Sequence, residues 1–175
     1  MICKLHVYTG DGKGKTTAAM GLALRSLGHG NAVLVAQFMK KGNSGELKAL
    51  ARFENARVLT APPIAGFTFR MTAEEKAEAR RQQTAFAEQA RQAVLDLLPQ
   101  TVILDELGMA LSCGMVEEQA ARALIDCALT CAETAVTGRA VPDWLAARAD
   151  YLSRIEAVRH PFDAEGLHAR KGVEW

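Results

Sequence analysis

The strongest constraint on this chain is a glycine-rich turn placed between an apolar run and a helical pattern. The stretch TGDGKGKTTAAMG occupies residues 9–21 and directly follows KLHVY at 4–8, a run typical of a buried strand. Helical spacing then extends from about Lys15 to Leu27. Glycines between a strand and a helix let successive N–H groups point inward at phosphate oxygens, and the helix N-terminus adds partial positive charge. The order of strand, loop and helix therefore favours a phosphate-binding loop over an ordinary glycine-rich turn.

Within this loop, the G-K-T-T segment carries the expected chemistry. Lys15 is placed to reach the terminal phosphates of a nucleotide, and the hydroxyl of Thr16 is placed to bind Mg²⁺. Thr9 stands where the standard pattern has its first glycine. Gly10 and Gly12 still supply conformational freedom, so the substitution does not change the interpretation.

Strand and helix patterns alternate along the rest of the chain. Apolar strands are predicted for AVLVAQF at 32–38, ARVLT at 56–60 and TVILDE at 101–106. The other expected elements are a short helix in GELKALARF, a helix from a Thr72–Glu75 capping box to about Leu98, a helix near 117–131, a strand in TAVTGR at 134–139, a helix at about 142–148, and a strand near 150–158. Short apolar strands separated by helices indicate an α/β fold, a mainly parallel sheet with helices on both faces. We expect a single domain spanning 1–175.

Two acidic residues end the apolar strand at 101–106. Asp105 is placed to hold Mg²⁺ through water, and Glu106 lies beside it. An apolar run that ends in Asp-Glu is often only a strand end, but together with an upstream phosphate loop it predicts a site for ATP with Mg²⁺ or Mn²⁺. The pattern leaves the reaction open. In a hydrolase Glu106 would polarise a water, whereas a kinase would present an acceptor hydroxyl.

Composition excludes several other classes of function. Lys and Arg number 21 against 20 Asp and Glu, so no overall field attracts nucleic acid or an anionic membrane. No apolar run approaches the roughly 18 residues of a membrane span, and the first residues do not resemble a signal peptide. Cys127 and Cys131 lie four apart without a second ligand pair, which favours small buried cysteines over a metal site. We expect a cytoplasmic protein that binds neither nucleic acid nor membrane.

Several motifs, in order and over almost the whole chain, resemble those of one family. They are GDGKGKTT at 10–17, AQFMKKG at 36–42, GFTF at 66–69, LDEL at 104–107, VTGR at 136–139, and the tail HPFDAEGLHARKGVEW at 160–175. The family is that of the corrinoid adenosyltransferases of the CobA/CobO/BtuR type. The loop alone is common to many proteins, whereas GFTF, TGR and the tail together are specific.

The resemblance implies a RecA-like P-loop fold and a homodimer. It also implies transfer of the 5′-deoxyadenosyl group of ATP to the Co(I) of a reduced corrinoid, with release of triphosphate and often with a flavoprotein as reductant. Co(I) is itself a strong nucleophile, so this chemistry needs no Ser–His or Cys–His pair. Two alternatives remain open at this point: a small P-loop kinase or ATPase, and a nucleotide-dependent corrinoid-binding module with little turnover.

The resemblance also implies roles for individual residues. Arg25 and Arg139 would contact the nucleotide, although Arg25 also fits a solvated helix position. Phe67 and Phe69 would press against the lower face of the corrin and displace its lower axial ligand; the alternative is a core-facing pair. Phe69 departs from the tryptophan usual in the family. The implied triphosphate site consists of Gly10, Asp11, Gly12, Lys13, Gly14, Lys15, Thr16 and Thr17; the implied metal ligands are Thr16, Asp105 and Glu106; and the implied catalytic residues are Lys15, Thr16 and Glu106.

Overall fold

The structure, a computed structural model, describes residues 2–64 and 70–173, and its centre is a parallel β-sheet. The strands are β1 (Leu5–Thr9), β2 (Val33–Gln37), β3 (Ala56–Thr60), β4 (Thr101–Asp105), β5 (Glu133–Thr137) and β6 (Tyr151–Arg154). They lie in the order β3-β2-β4-β5-β1-β6, and every pair is parallel. The central strands β2 and β4 are buried along their whole length, as their uninterrupted apolar sequences predict.

Helices cover both faces of the sheet. They are α1 (Lys15–Gly28), α2 (Gly45–Leu50), α3 (Ala73–Leu97), α4 (Leu107–Ser112), α5 (Glu118–Leu129), α6 (Asp143–Arg148) and α7 (Pro161–Glu165). Side chains of β4 alternate between two buried clusters: Ile103 packs with α1 and α2, whereas Val102 and Leu104 pack with α3, α4 and α5. The predicted α/β class, with helices on both faces of a parallel sheet, is confirmed.

Some predicted boundaries are confirmed and others are wrong. The capping box at the start of α3 is present: Thr72 Oγ1 accepts from the Glu75 N–H at 3.2 Å, and Glu75 Oε2 accepts from the Thr72 N–H at 2.8 Å. Two short helices, α4 and α7, lie outside the elements expected from the sequence. α4 starts without a side-chain cap, whereas α7 does have a His160 cap and Pro161 at its start but is too short for a helical period to be visible. The last strand ends at Arg154 and not near 158, because the chain then turns to pack against the glycine-rich loop.

Within residues 2–64 and 70–173, no helix combines the length and the apolar character that crossing a bilayer requires.

The glycine-rich loop after β1 lies in direct contact with the segment after β6. The Gly12 N–H donates to the Ile155 carbonyl at 2.8 Å. A Cβ atom on Gly12 would lie 2.6 Å from the Glu156 carbonyl oxygen, and one on Gly10 would lie 2.4 Å from that of Ile155. Gly10 also has a φ of +102°, which L side chains rarely adopt. These glycines are therefore needed for backbone packing inside the fold, independently of any phosphate.

This contact predicts opposite effects for two glycine-to-alanine substitutions in neighbouring parts of the chain. Gly12→Ala should lower the free energy of unfolding by about 1–3 kcal/mol, because its methyl group overlaps the backbone at Glu156. Gly21→Ala is the matched control: it lies on the exposed side of α1 with no heavy atom within 4 Å of the added Cβ. It should raise stability by about 0.5–1 kcal/mol through helix propensity. Urea titrations measure both values, and equal effects would contradict the packing argument.

Candidate functional site

A cleft of about 670 Å³ opens at the carboxyl ends of the strands. This edge of a parallel sheet is where α/β proteins usually bind ligands. The lining comprises residues 11–17 of the loop, residues 37, 39–41, 43, 44 and 46 around the β2–α2 connection, and Ile64, Glu106, Arg139, His160 and Val173. The cleft therefore joins the glycine-rich loop, one of the acids after β4 and the C-terminal segment in one surface.

The later half of the loop carries the groups suited to bind phosphate. Gly14 caps α1 with a φ of 121° and provides no side chain to occupy the first helical N–H groups. The N–H groups of Lys15, Thr16 and Thr17 are the first three of the helix, so none has a partner within it, and the helix dipole favours an anion there. The N–H groups of Gly10 and Gly12 are instead bound to backbone carbonyls. The first half of the loop thus serves to anchor it.

Thr9 participates in this anchoring. Its hydroxyl donates to the Arg139 carbonyl at 3.2 Å, and the same carbonyl accepts from the Gly10 N–H at 3.1 Å. As the last residue of β1, Thr9 has ordinary extended backbone, so this position does not require glycine. Its hydroxyl gives the loop a hydrogen bond that a glycine would lack. Arg139 itself is exposed and lines the cleft.

Lys15 folds back over the loop. Only 9% of the residue is exposed, and its Nζ donates to the Gly12 carbonyl at 2.7 Å. Burial lowers the pKa of the Lys15 ammonium, and the nearby charge of Glu106 only partly offsets that effect. The ammonium therefore lies against the backbone of the loop, and Lys15 lines the same cleft as Thr16 and Thr17.

The Asp105 carboxylate is the most heavily bonded polar group of the site. It is completely buried and accepts four side-chain hydrogen bonds: Thr16 and Thr137 hydroxyls bind Oδ1 at 2.8 and 2.7 Å, while Gln37 Nε2 and Lys40 Nζ bind Oδ2 at 2.9 and 2.8 Å. Burial alone would raise the pKa of Asp105, but the Lys40 charge and these hydrogen bonds outweigh it and hold the pKa below its usual value. Asp105 is therefore ionised and fixed in place.

Glu106 is the acid that reaches the cleft. It has a φ of 62° in the left-handed region, and its N–H donates to the Thr137 hydroxyl at 2.9 Å. This turn ends β4 and starts α4, and it leaves the Glu106 side chain 21% exposed at the cleft wall. The two adjacent acids therefore have different surroundings, one sealed by donors and one open to ligand.

Lys40 is a site residue that the sequence analysis missed. Its Nζ lies 2.8 Å from Asp105 Oδ2, 3.4 Å from Glu106 Oε1 and 3.2 Å from Thr16 Oγ1. Burial would lower the pKa of Lys40, but the two carboxylates outweigh it and raise the pKa. The sequence shows only a lysine just after β2. Its contact with the two acids arises because β2 lies beside β4, and the sequence pattern does not reveal that strand order.

The donor set around Lys40 fits a small divalent cation. Thr16, Asp105 and Glu106 supply a hydroxyl and two carboxylates, the hard oxygen ligands that Mg²⁺ prefers, and substrate phosphates commonly complete such a shell. Gln37 also lines the cleft, and its Oε1 is buried and has no hydrogen-bond partner among the described residues. In residues 2–64 and 70–173 there is no cluster of three His, Cys, Asp or Glu that could hold a metal. Protein and phosphate ligands together would therefore be needed.

The remaining predicted site residues stand apart from this cluster. Arg25 is exposed in the last turn of α1, about 15 Å along the helix from Lys15, and is not among the residues that line the cleft. Its contact with nucleotide stays a prediction. Phe67 and Phe69 lie outside the described residues. Ile64, the last described residue before them, lines the cleft.

Comparison with known proteins shows the family of this chain. The model of the ATP:corrinoid adenosyltransferase BtuR/CobO/CobP family matches residues 3–175. A corrinoid adenosyltransferase of Pseudomonas aeruginosa is 34% identical over 175 residues, covering 98% of this chain and 83% of the relative. Corrinoid adenosyltransferase CobA of Salmonella typhimurium is 32% identical over 170 residues, covering 97% of this chain and 84% of the relative. The chain belongs to the ATP:corrinoid adenosyltransferase family.

Proposed function

We propose that this chain transfers the 5′-deoxyadenosyl group of ATP to the Co(I) of a reduced corrinoid and releases triphosphate. The observation that carries the proposal is the cleft itself, in a chain of this family. The lining of the cleft includes both the N-terminus of α1 with Lys15 and the Glu106 carboxylate. The cleft is therefore equipped to hold a polyphosphate, which in this reaction is the leaving group.

In the proposed reaction, the Co(I) electron pair attacks the ribose C5′ atom and forms the cobalt–carbon bond. The C5′–O bond breaks, and its electron pair leaves with the triphosphate. The nucleophile brings its own electron pair and loses no proton, so no general base is required. The protein must align cobalt with C5′ and stabilise negative charge on the departing oxygen. The N–H groups at residues 15–17 and the Lys15 ammonium suit the second task.

We assign the metal site to Thr16, Asp105 and Glu106. A divalent cation bound there would neutralise part of the triphosphate charge. Thr16 and Asp105 are already joined by a hydrogen bond of 2.8 Å, which supports their use as one unit. Glu106 is the carboxylate open to the cleft, and its place favours a role at the metal and nucleotide over that of a base acting on water.

The finer features of the function rest on the family resemblance. We assign nucleotide contacts to Arg139, at the cleft wall, and corrinoid contacts to Phe67 and Phe69. We also propose a cytoplasmic homodimer that receives its reduced corrinoid through a flavoprotein reductant. A small P-loop kinase or ATPase is the main alternative, because it would share the loop and the acids.

Product analysis tests the reaction directly. Under anaerobic conditions, the protein with MgATP and chemically reduced cobalamin should yield adenosylcobalamin and triphosphate in equal amounts. Absorbance spectroscopy follows the cobalt–carbon bond, and ion-exchange chromatography identifies the phosphate product. ADP and phosphate without a cobalt–carbon bond would reject the transferase in favour of a kinase or ATPase. Binding of both substrates without products would indicate a corrinoid-binding module.

Lys15→Ala tests the phosphate-loop assignment. Loss of a preorganised charge next to the leaving group should lower kcat/KM for adenosyl transfer by about 100-fold or more. Lys48→Ala removes the same charge from an exposed position on α2 and should leave the rate unchanged. Thermal unfolding of both variants checks that the fold is retained. Wild-type turnover by a folded Lys15→Ala protein would remove Lys15 from the catalytic assignment.

Phe69→Ala tests the corrinoid assignment. If Phe69 displaces the lower axial ligand and so eases reduction of Co(II), its loss should slow the reaction that starts from Co(II) far more than the reaction with pre-reduced Co(I). The two rates are measured with the same protein sample. Phe53→Ala, at a half-exposed position after α2, is the control and should affect neither route. An equal loss on both routes by Phe69→Ala would indicate a packing role.

A further inference from the structure

The Lys40 ammonium occupies the point at which the proposed metal ligands converge. Its Nζ lies within 3.4 Å of Thr16 Oγ1, Asp105 Oδ2 and Glu106 Oε1. A divalent cation that shared these three oxygens would stand in the same position. The lysine and the cation therefore exclude each other, because two positive charges do not fit among the same ligands.

The backbone holds Lys40 in this position. Met39, the residue before it, has a φ of 58° in the left-handed region, and the Lys40 N–H donates to the Phe38 carbonyl at 2.7 Å in a tight turn. Such a conformation is unfavourable for a non-glycine residue and persists only where its surroundings impose it. The imposing group is Gln83 of α3, which is fully buried and accepts from the Met39 N–H at 3.1 Å. The hydrogen bond from Met39 to Gln83 thus fixes the backbone so that the Lys40 side chain contacts Asp105 and Glu106.

One observation supports a cation site at this point beyond the presence of acids. Gln37 lines the cleft and donates to Asp105 with its Nε2, while its Oε1 is buried and has no hydrogen-bond partner among the described residues. Gln37 as a whole is 1% exposed, and because buried polar atoms are normally paired, a ligand bound in the cleft would supply the partner that this oxygen lacks. Unlike Lys40, the neighbouring Lys41 is exposed and takes part in no ion pair found among the described residues, although it also lines the cleft.

We propose that Lys40 is the built-in counter-cation of the metal site and exchanges with the divalent ion that arrives with ATP. This inference rests on the metal role proposed above for Thr16, Asp105 and Glu106. In the nucleotide-free protein, a free ion must lose hydration water and also displace an ammonium already paired with both carboxylates. With ATP present, the displaced ammonium meets phosphate oxygens in the same cleft, so its charge is paired again. Metal and nucleotide binding are therefore positively coupled through Lys40.

Binding of Mn²⁺ without nucleotide tests the exclusion. Free Mn²⁺ is measured by its electron paramagnetic resonance signal in titrations of the wild-type protein, Lys40→Met and Lys41→Met. Lys40→Met should bind Mn²⁺ at least about tenfold more tightly, the factor expected if Lys40 fills the site about nine-tenths of the time. Lys41→Met removes the same charge one residue away and should stay within about twofold of wild type. Unchanged affinity in Lys40→Met, or an equal gain in Lys41→Met, would overturn the proposal.

Two further variants keep the test decisive. Lys40→Arg retains the positive charge and should bind Mn²⁺ as weakly as the wild type. Lys40→Gln should bind Mn²⁺ as tightly as Lys40→Met, and it replaces Lys40→Met in the test if Lys40→Met folds poorly. The same titrations with ATP measure coupling: ATP should raise Mn²⁺ affinity in the wild type by about tenfold more than in Lys40→Met. Equal coupling in both proteins would contradict an exchange through Lys40.

Glu106→Gln separates this inference from the proposed function. If Glu106 is a metal ligand, this variant should bind Mn²⁺ more weakly than wild type in the presence of ATP. Undiminished binding would reject the metal assignment, and the inference with it. If Glu106→Gln binds Mn²⁺ more weakly but Lys40→Met binds it with unchanged affinity, the metal assignment stands and only the exchange through Lys40 is rejected. No corrinoid takes part in these titrations, so adenosyl transfer is judged separately by its products.

Discussion

The buried carboxylate of Asp105 is the interaction on which the site depends. An isolated ionised carboxylate is very unfavourable inside a protein, and here its burial is offset by four donors from different parts of the chain. The donors come from α1, the end of β2, the turn after β2, and β5. A single charge therefore joins the start of α1, the central strands and Lys40 at one edge of the sheet. Loss of any of these donors would leave part of the charge unpaired.

Anchoring and ligand binding are divided within the glycine-rich loop. Its first residues bind the backbone of Arg139 and Ile155, so the loop is held by the segments that follow β5 and β6. Its later residues begin α1 and turn their N–H groups toward the cleft. Anchored on one side in this way, the loop holds the helix N-terminus at the cleft, where the proposed polyphosphate leaving group would bind. This division suits a reaction in which the nucleophile arrives with the second substrate and the protein stabilises the group that departs.

Local signals in the sequence predicted much of this architecture. The strand, loop and helix around Gly10–Thr17, the apolar run ending at Asp105, and the Thr72 capping box each depend on neighbouring residues, and each is present. The sequence did not predict the contacts of Lys40 and Gln37 with Asp105, because these contacts arise only where β2 lies beside β4. Nor did it predict the tight packing at Gly12, because the contacting carbonyl at Glu156 is remote in sequence.

The sequence by itself determined the alternation of strands and helices, the α/β class, the glycine-rich loop between β1 and α1, the two acids at the end of β4, and the family. All of these follow from short-range periodicity, turn chemistry and motif order, which a single chain carries along its length. The tertiary structure alone decided the strand order, the separate environments of Asp105 and Glu106, and the place of Lys40 among the proposed metal ligands. These features depend on which carboxyl ends meet at one edge of the sheet, and that pairing is set by packing across the whole fold.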